Sequence, residues 1–160
     1  MVKALTTKPV VDVGRYTSPD RKASLNLGGK LDLIGAASPS IADPYLPNKV
    51  AEGRVDEIRE CIGCNICRSG NNERAPIHCT QNPTMGEEWR RGWHPEHLPR
   101  VSSARHMLII GGGPAGLECA RACGQRGFKV TLAEASGQLG GRIIREATLP
   151  GLNTWQKVRD

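Results

Sequence analysis

Apolar residues in this chain fall in short bursts separated by turn signals. The first burst is Val10, Val11 and Val13 in the segment KPVVDVGRY. β-branched residues between turn formers predict a short buried strand over 8–16, ended by Gly14 and Arg15. Ser18 and Pro19 then suit the N-cap and first position of a helix over 19–27, stopped by Gly28 and Gly29. The run LDLIGA, residues 31–36, predicts a second strand. Pro39 and the pair Asp43 and Pro44 mark a loop, and a short helix follows near 46–53. Strand, helix and strand joined by short loops predict parallel strands of an α/β sheet or barrel. Two such strands are not a domain, because a parallel pair has faces and edges to cover. Residues 1–50 are therefore expected to be the end of a larger fold.

The pattern then turns polar. Residues 56–60 predict a short helical lead-in, and 68–78 a surface loop. Pro83, Gly86, Pro95 and Pro99 make an irregular connector with one helical turn over 87–90. Trp89 and Trp93 are large apolar groups in that polar stretch and are expected to pack rather than face solvent. Regular periodicity returns at Met107–Ile110, a strand that runs into Gly111. A helix over 117–127 closes at Gly127, and a further strand over 129–133 ends at Glu134.

Composition narrows the function classes. Among 160 residues there are 19 glycines and 11 prolines, so much of the chain is loop. The net charge of +6 comes from scattered residues with few aromatics among them. That argues against a nucleic-acid surface, which needs clustered cations and stacking platforms. No apolar run reaches the 18 or so residues of a membrane span, and the N-terminal stretch lacks the apolar core of a signal peptide. A cytoplasmic, reducing compartment is expected.

The densest chemistry is Cys61, Cys64 and Cys67, each pair separated by two residues, followed by Cys79 after eleven more. A CxxC step turns both sulfurs to one concave side, and repeating it adds a third. Three thiolates so spaced suit three corners of an iron–sulfur cube, with Cys79 returning to the fourth iron. Gly63 fits the turn because the backbone there approaches the inorganic core and favours positive φ. Two other readings stay open. Zinc takes four thiolates but usually from two separated CxxC pairs, and unligated structural cysteine is the other. His78, His94 and His97 are read as solvated or packing residues, since four cysteines already complete a ligand set.

The second signal is Gly111, Gly113 and Gly116 in GxGxxG, with a strand before, a helix after and an acid on time. Gly111 permits the tight turn, Gly113 lets a pyrophosphate approach, and Gly116 lets helix and sheet pack closely. Pro114 and Ala115 open the helix, whose N-terminus offers N–H donors and positive dipole. Glu134 is placed to accept hydrogen bonds from both hydroxyls of an adenosine ribose. Arg142, after Gly140 and Gly141, is placed to reach the nucleotide, although an ordinary turn with a solvated arginine explains it too. Cys119 and Cys123 are expected to be small buried residues of the helix's packing face. A weaker anion site is readable at the first two strand ends. There Gly14 and the small run from Gly35 to Ser38 offer backbone N–H groups, as loops after late barrel strands do. Plain turn chemistry is the alternative.

Taken in order, VGRYTSPD, LDLIGAASPSIADPYLPNKV, IRECIGCNIC, CTQNPTMGEEWRRGWHPE and GGGPAGLE resemble the trimethylamine/dimethylamine dehydrogenase branch of the old yellow enzyme-like iron–sulfur flavoproteins, over nearly the whole chain. Dienoyl-CoA reductases are in the same family. The resemblance implies an α/β architecture in three parts. Residues 1–53 would end an FMN-binding TIM barrel, 54–104 would form a [4Fe-4S] module and connector, and 105–160 would begin a Rossmann-like domain for FAD or ADP. It places Cys61, Cys64, Cys67 and Cys79 on the cluster ligands. It places Gly111, Gly113, Pro114, Ala115, Gly116, Glu134 and Arg142 on nucleotide-binding positions, and Gly14, Arg15, Ala37 and Ser38 near the FMN phosphate.

One position departs from the family. Where relatives carry Arg in ARPSIADP, this chain has Ser38, which lacks the charge and the bidentate fork that grip a phosphate. The implied activity is oxidation of a small amine at FMN, with electrons leaving singly through the cluster to an electron-transfer flavoprotein. In reductases of the enone class the flow reverses, from NAD(P)H. No catalytic residue is identifiable in this stretch, and a homo-oligomer is compatible with the family. A zinc-stabilised or stand-alone nucleotide-binding module is the reading of a different class.

Overall fold

In the computed structural model, which describes residues 2–94, 96–103 and 105–159, strand β1 (Val11–Val13) pairs in parallel with β2 (Leu33–Gly35), with Val13 opposite Gly35. Helix α1 (Pro19–Leu27) is the crossover between them. It begins where Ser18 and Pro19 predict. Ser18 has the extended backbone of an N-cap, but its side chain makes no capping bond. The chain leaves α1 through Gly29 at φ +63°, a conformation glycine adopts without penalty.

Several expectations change here. The first strand covers only three residues, and it is exposed rather than buried. Val11 and Val13 are 58% and 68% accessible. The reason is topological, since β1 and β2 pair only with each other among the described residues and keep one open edge each. Helix α2 (Ala37–Ala42) stands where a loop was expected, whereas α3 (Leu46–Ala51) is the short helix expected near 46–53. Pro39 is tolerated in α2 because it sits in the first turn, where its missing N–H has no intrahelical acceptor.

The cysteine segment follows without a break. A 3₁₀ turn at Val55–Glu57 takes the place of the helical lead-in. Helix α4 (Ile66–Asn72) carries Cys67 and occupies ground read from sequence as surface loop. Asn65 opens it in the left-handed region at φ 61°, which an Asn side chain tolerates better than most. Helix α5 (Glu88–Arg91) is the single turn expected. Trp89 on it does not pack, being 86% exposed. Glu87 faces inward instead, with its carboxylate accepting from both Arg90 and Arg91.

The second half is a β–α–β unit. Strand β3 (His106–Ile110) pairs in parallel with β4 (Lys129–Ala133), and α6 (Pro114–Gln125) connects them. Gly127 at φ +93° ends the crossover as its position predicts. Helix α7 (Ile143–Glu146) and a 3₁₀ segment at Asn153–Val158 complete the chain. Cys119 is exposed, not buried. Cys123, one turn on, is half-buried, and Gly116 of the same helix lies close to Ile109.

The chain forms two compact units, Met1–Arg91 and Gly92–Asp160. Among the described residues of the first unit, the largest fully buried side chains are Lys49, Asn82 and Asp43, so polar contacts hold much of its centre. In the second, Ile109 and Ile143 are the buried apolar residues. No helix among the described residues is long and apolar enough to cross a membrane. Pro95, read as part of the connector, and Ala104, at an expected domain boundary, lie outside the described residues.

Candidate functional site

Within the first unit, one cavity of about 270 Å³ gathers the residues that the sequence marks out. Cys61, Cys64, Cys67 and Cys79 all line it, and so do Gly14, Arg15, Ala37 and Ser38 from the ends of β1 and β2. The strand register brings this about. Val13 and Gly35 are opposite each other, so the loops that follow them leave the sheet side by side. A Cβ on Gly35 would meet a Val13 methyl at 2.6 Å, so the pairing at this end depends on a residue without one.

The cysteine loop is shaped for backbone proximity to its contents. Gly63 has φ +70°, as the tight turn requires. A Cβ there would also stand 3.2 Å from the Arg15 guanidinium carbon. The Arg15 Nη2 group donates to the Gly63 carbonyl and to Asn65 Oδ1, both at 3.0 Å. Arg15 thus braces the CxxC turn from the end of β1.

Hydrogen bonds converge on the sulfurs. The Gly63 N–H donates to Cys61 Sγ and the Gln81 N–H to Cys79 Sγ, each at 3.4 Å. Thr80 Oγ1 lies 3.2 Å from Cys64 Sγ. Burial pushes the Cys79 thiol up, and the Gln81 and Asn82 N–H groups pull it back. The neighbouring sulfurs of Cys64 and Cys61 push it up further, because thiolates sharing one space repel. A cationic occupant would relieve both the burial and the repulsion.

The donor set discriminates between occupants. Four thiolates at about 2.3 Å from one zinc leave no room between them, whereas these four surround a cavity. An iron–sulfur cube spreads its ligands around a core of several atoms, so four cysteines around a shared space fit it.

The second unit contains the glycine loop. Gly111 has φ +100°, and its N–H donates to Ala133 O at 2.8 Å, which extends the β3–β4 pairing into the turn. A Cβ at Gly116 would fall 1.9 Å from the Gly111 carbonyl oxygen, so only glycine fits where α6 crosses the turn. Nothing lies within 4 Å of a Cβ built on Gly113, which leaves the space beside it open to a ligand. Pro114 and Ala115 form the first turn of α6, with Pro114 where its missing N–H costs nothing. Gly141 comes against Gly113 from the other side.

Glu134 and Arg142 each have protein partners that their spacing does not announce. Glu134 Oε2 accepts the Gly112 N–H at 2.6 Å and Oε1 accepts the Ser136 N–H at 2.8 Å, so this carboxylate ties the end of β4 to the glycine turn. These bonds hold its carboxyl below the usual range, led by the Ser136 N–H. Arg142 is 79% exposed and pairs with Glu146 Oε1 one turn along.

Asn65 and Thr80 escape a motif reading, because their partners Arg15 and Cys64 lie fifty and sixteen residues away; the hint in the sequence is their place, Asn65 between Cys64 and Cys67 and Thr80 beside Cys79.

Comparison with known proteins agrees with this geometry. Residues 1–57 match the NADH:flavin oxidoreductase / NADH oxidase family, and residues 109–156 match an NAD(P)-binding Rossmann-like domain. Dimethylamine dehydrogenase of Hyphomicrobium sp. (strain x) is 52% identical over 99% of this chain and 22% of its own length. The structure of histamine dehydrogenase from Rhizobium sp. 4-9 superposes with a TM-score of 0.92 at 55% identity, covering 98% of this chain and 23% of that one. That of 6-hydroxypseudooxynicotine amine oxidase from Pseudomonas geniculata N1 gives 0.93 at 54% identity, over 99% and 24% respectively. This chain thus spans under a quarter of the length of these relatives.

Proposed function

This chain belongs to the NADH:flavin oxidoreductase family, beside the dimethylamine and histamine dehydrogenases, and from that premise we propose that it does the electron-transfer work of an amine-oxidising iron–sulfur flavoprotein. One observation carries the reading. Cys61, Cys64, Cys67 and Cys79 share a single cavity with the strand-end residues Gly14, Arg15, Ala37 and Ser38.

The four cysteines would hold a [4Fe-4S] cluster, and the N–H groups of the strand-end loops would face the phosphate of FMN. When bound, flavin supplies two-electron oxidation of a small amine and the cluster supplies one-electron exchange with an external acceptor such as an electron-transfer flavoprotein. The protein's own part is placement and electrostatics. Gly63 lets the loop close around its contents, the N–H groups of Gly63 and Gln81 stabilise thiolate charge, and Arg15 fixes the turn. Ser38 offers the phosphate one hydroxyl and no charge, so Arg15 and the helix α2 backbone have more to do at that end. In the second unit, Gly113 and the first turn of α6 would receive the pyrophosphate of FAD or the diphosphate of ADP.

The test is metal and acid-labile sulfide content on anaerobically purified chain, with its visible spectrum. Four irons and four sulfides per chain, lost in Cys64→Ser, are expected. One zinc and no sulfide would overturn the reading.

A further inference from the structure

Hydrogen bonding around the four cysteines is uneven. Cys61 and Cys79 each accept a backbone N–H from two residues further on, which any residue type would supply. Cys64 has instead a side-chain partner, the Thr80 hydroxyl at 3.2 Å, sixteen residues away in sequence. Thr80 directly follows Cys79, so its hydroxyl reaches from the isolated fourth cysteine back to the middle of the CxxCxxC loop. As a side-chain contact, it can be deleted by a point substitution that leaves the backbone intact.

We propose that Thr80 is a positioning residue that donates its hydroxyl hydrogen to the Cys64 thiolate and thereby raises the reduction potential of the cluster. The inference rests on the cluster reading above. The chemistry fixes the direction of the bond. A free thiol and a hydroxyl can each donate, but a metal-bound thiolate has no proton, so Thr80 must be the donor and Cys64 the acceptor. Adding one electron to the cluster makes the whole assembly more negative. A hydrogen bond to a ligand sulfur stabilises the more negative state more, and so favours reduction. Neither thiolate nor hydroxyl changes protonation in this step, and no bond is made or broken. The bond would also clamp the two arms of the cysteine segment together, which is the purely structural role that has to be distinguished from tuning.

The experiment compares the whole chain, with its cluster assembled anaerobically, as wild type, Thr80→Val, Thr80→Ala and Thr80→Ser. Iron and sulfide are counted first. Each sample is then titrated with dithionite, which supplies the electrons and is oxidised to sulfite, while the cluster is followed by EPR and visible absorption. Full cluster content in all four is expected, with lower midpoint potentials in Val and Ala and a wild-type potential restored in Ser, which keeps the donor.

An unchanged potential in a fully loaded Val or Ala variant would overturn the proposal. So would a Ser variant shifted as far as Val, which would trace the effect to shape. Failure of both Val and Ala to hold iron, with Ser loaded, would make Thr80 an assembly clamp and equally overturn the tuning role. Absence of iron and sulfide from the wild type would overturn the cluster reading itself, an outcome visible before any titration begins.

Discussion

Lys49 places its ammonium 2.8 Å from Asp43 Oδ2 in the interior of the first unit, with both side chains almost wholly inaccessible. Neither charge is left to the pair alone. Asp43 also accepts the N–H groups of Tyr45 and Arg59, and Lys49 also donates to the Glu57 carbonyl. The pair therefore pins residues 57 and 59 immediately before Cys61. At the other end of the cysteine segment, Asn82 Nδ2 donates to the Ile41 carbonyl at 3.1 Å, fastening the chain just after Cys79 to helix α2.

Removing one partner from that pair strands the other. Asp43→Ala is expected to cost about 3–5 kcal/mol, the range for an uncompensated buried charge. Combining Asp43→Leu with Lys49→Met should cost much less than the sum of the single changes. Urea unfolding of the chain checks this. Costs that simply add would show that the pair is not coupled.

The turn at Gly63 has two reasons to reject a side chain, its φ of +70° and the nearness of Arg15. Gly63→Ala should destabilise the loop by about 1–2 kcal/mol, the usual cost of a left-handed non-glycine residue. The same change should hasten loss of sulfide from the loaded chain in air. Arg15→Lys should not replace Arg15, because an ammonium lacks the planar fork and reach of a guanidinium. Equal sulfide half-lives in wild type and Arg15→Lys would remove Arg15 from the brace.

At Gly116 the obstacle is backbone. An added methyl would overlap the Gly111 carbonyl oxygen, which cannot move without breaking the β3–β4 extension. Gly116→Ala is expected to reach or exceed the upper end of the 1–3 kcal/mol typical of overpacking, and to weaken ADP binding at least tenfold by calorimetry. Gly124→Ala, where a Cβ meets nothing, is the control and should leave ADP binding unchanged while stabilising the helix by up to about 1 kcal/mol.

Glu134 gives a pH dependence with a definite sign. Its folded carboxyl titrates below the ordinary value because Ser136 and Gly112 N–H groups stabilise the charge. Its contribution is thus fully present above the unfolded pKa of about 4.3 and is lost as pH falls through the lower folded value. Unfolding midpoints measured from pH 6 downward should fall less steeply in Glu134→Gln than in wild type. Parallel curves would show that the carboxylate's bonds contribute nothing to folding.

Much of this was legible in the residues themselves. The β3–α6–β4 unit emerges with its second strand at the expected bounds, because Gly111, Gly116 and Gly127 impose local geometry that no distant contact alters. The bounds of α1 follow equally from Ser18, Pro19 and Gly28. Where expectation failed, a neighbour distant in sequence had decided. Val11 and Val13 looked buried by composition, but burial depends on what covers a strand. The segment after Cys67 looked polar enough for a loop, yet a left-handed Asn65 held by Arg15 starts a helix there.

By itself, then, the sequence determined the cysteine spacing, the glycine turn and the strand–helix–strand order at each end of the chain. Each depends on chemistry within a few residues, where chain geometry permits little choice. Only the tertiary structure decided that four cysteines and two strand ends share one cavity, that a buried Asp43–Lys49 pair secures the approach to Cys61, and that Thr80 faces Cys64. Asp43 reaches Arg59 and Cys64 reaches Thr80 across sixteen residues of chain, and Arg15 reaches Asn65 across fifty. Hydrogen bonds at such separations exist only after the strands have paired and the helices have docked, and no local pattern encodes them.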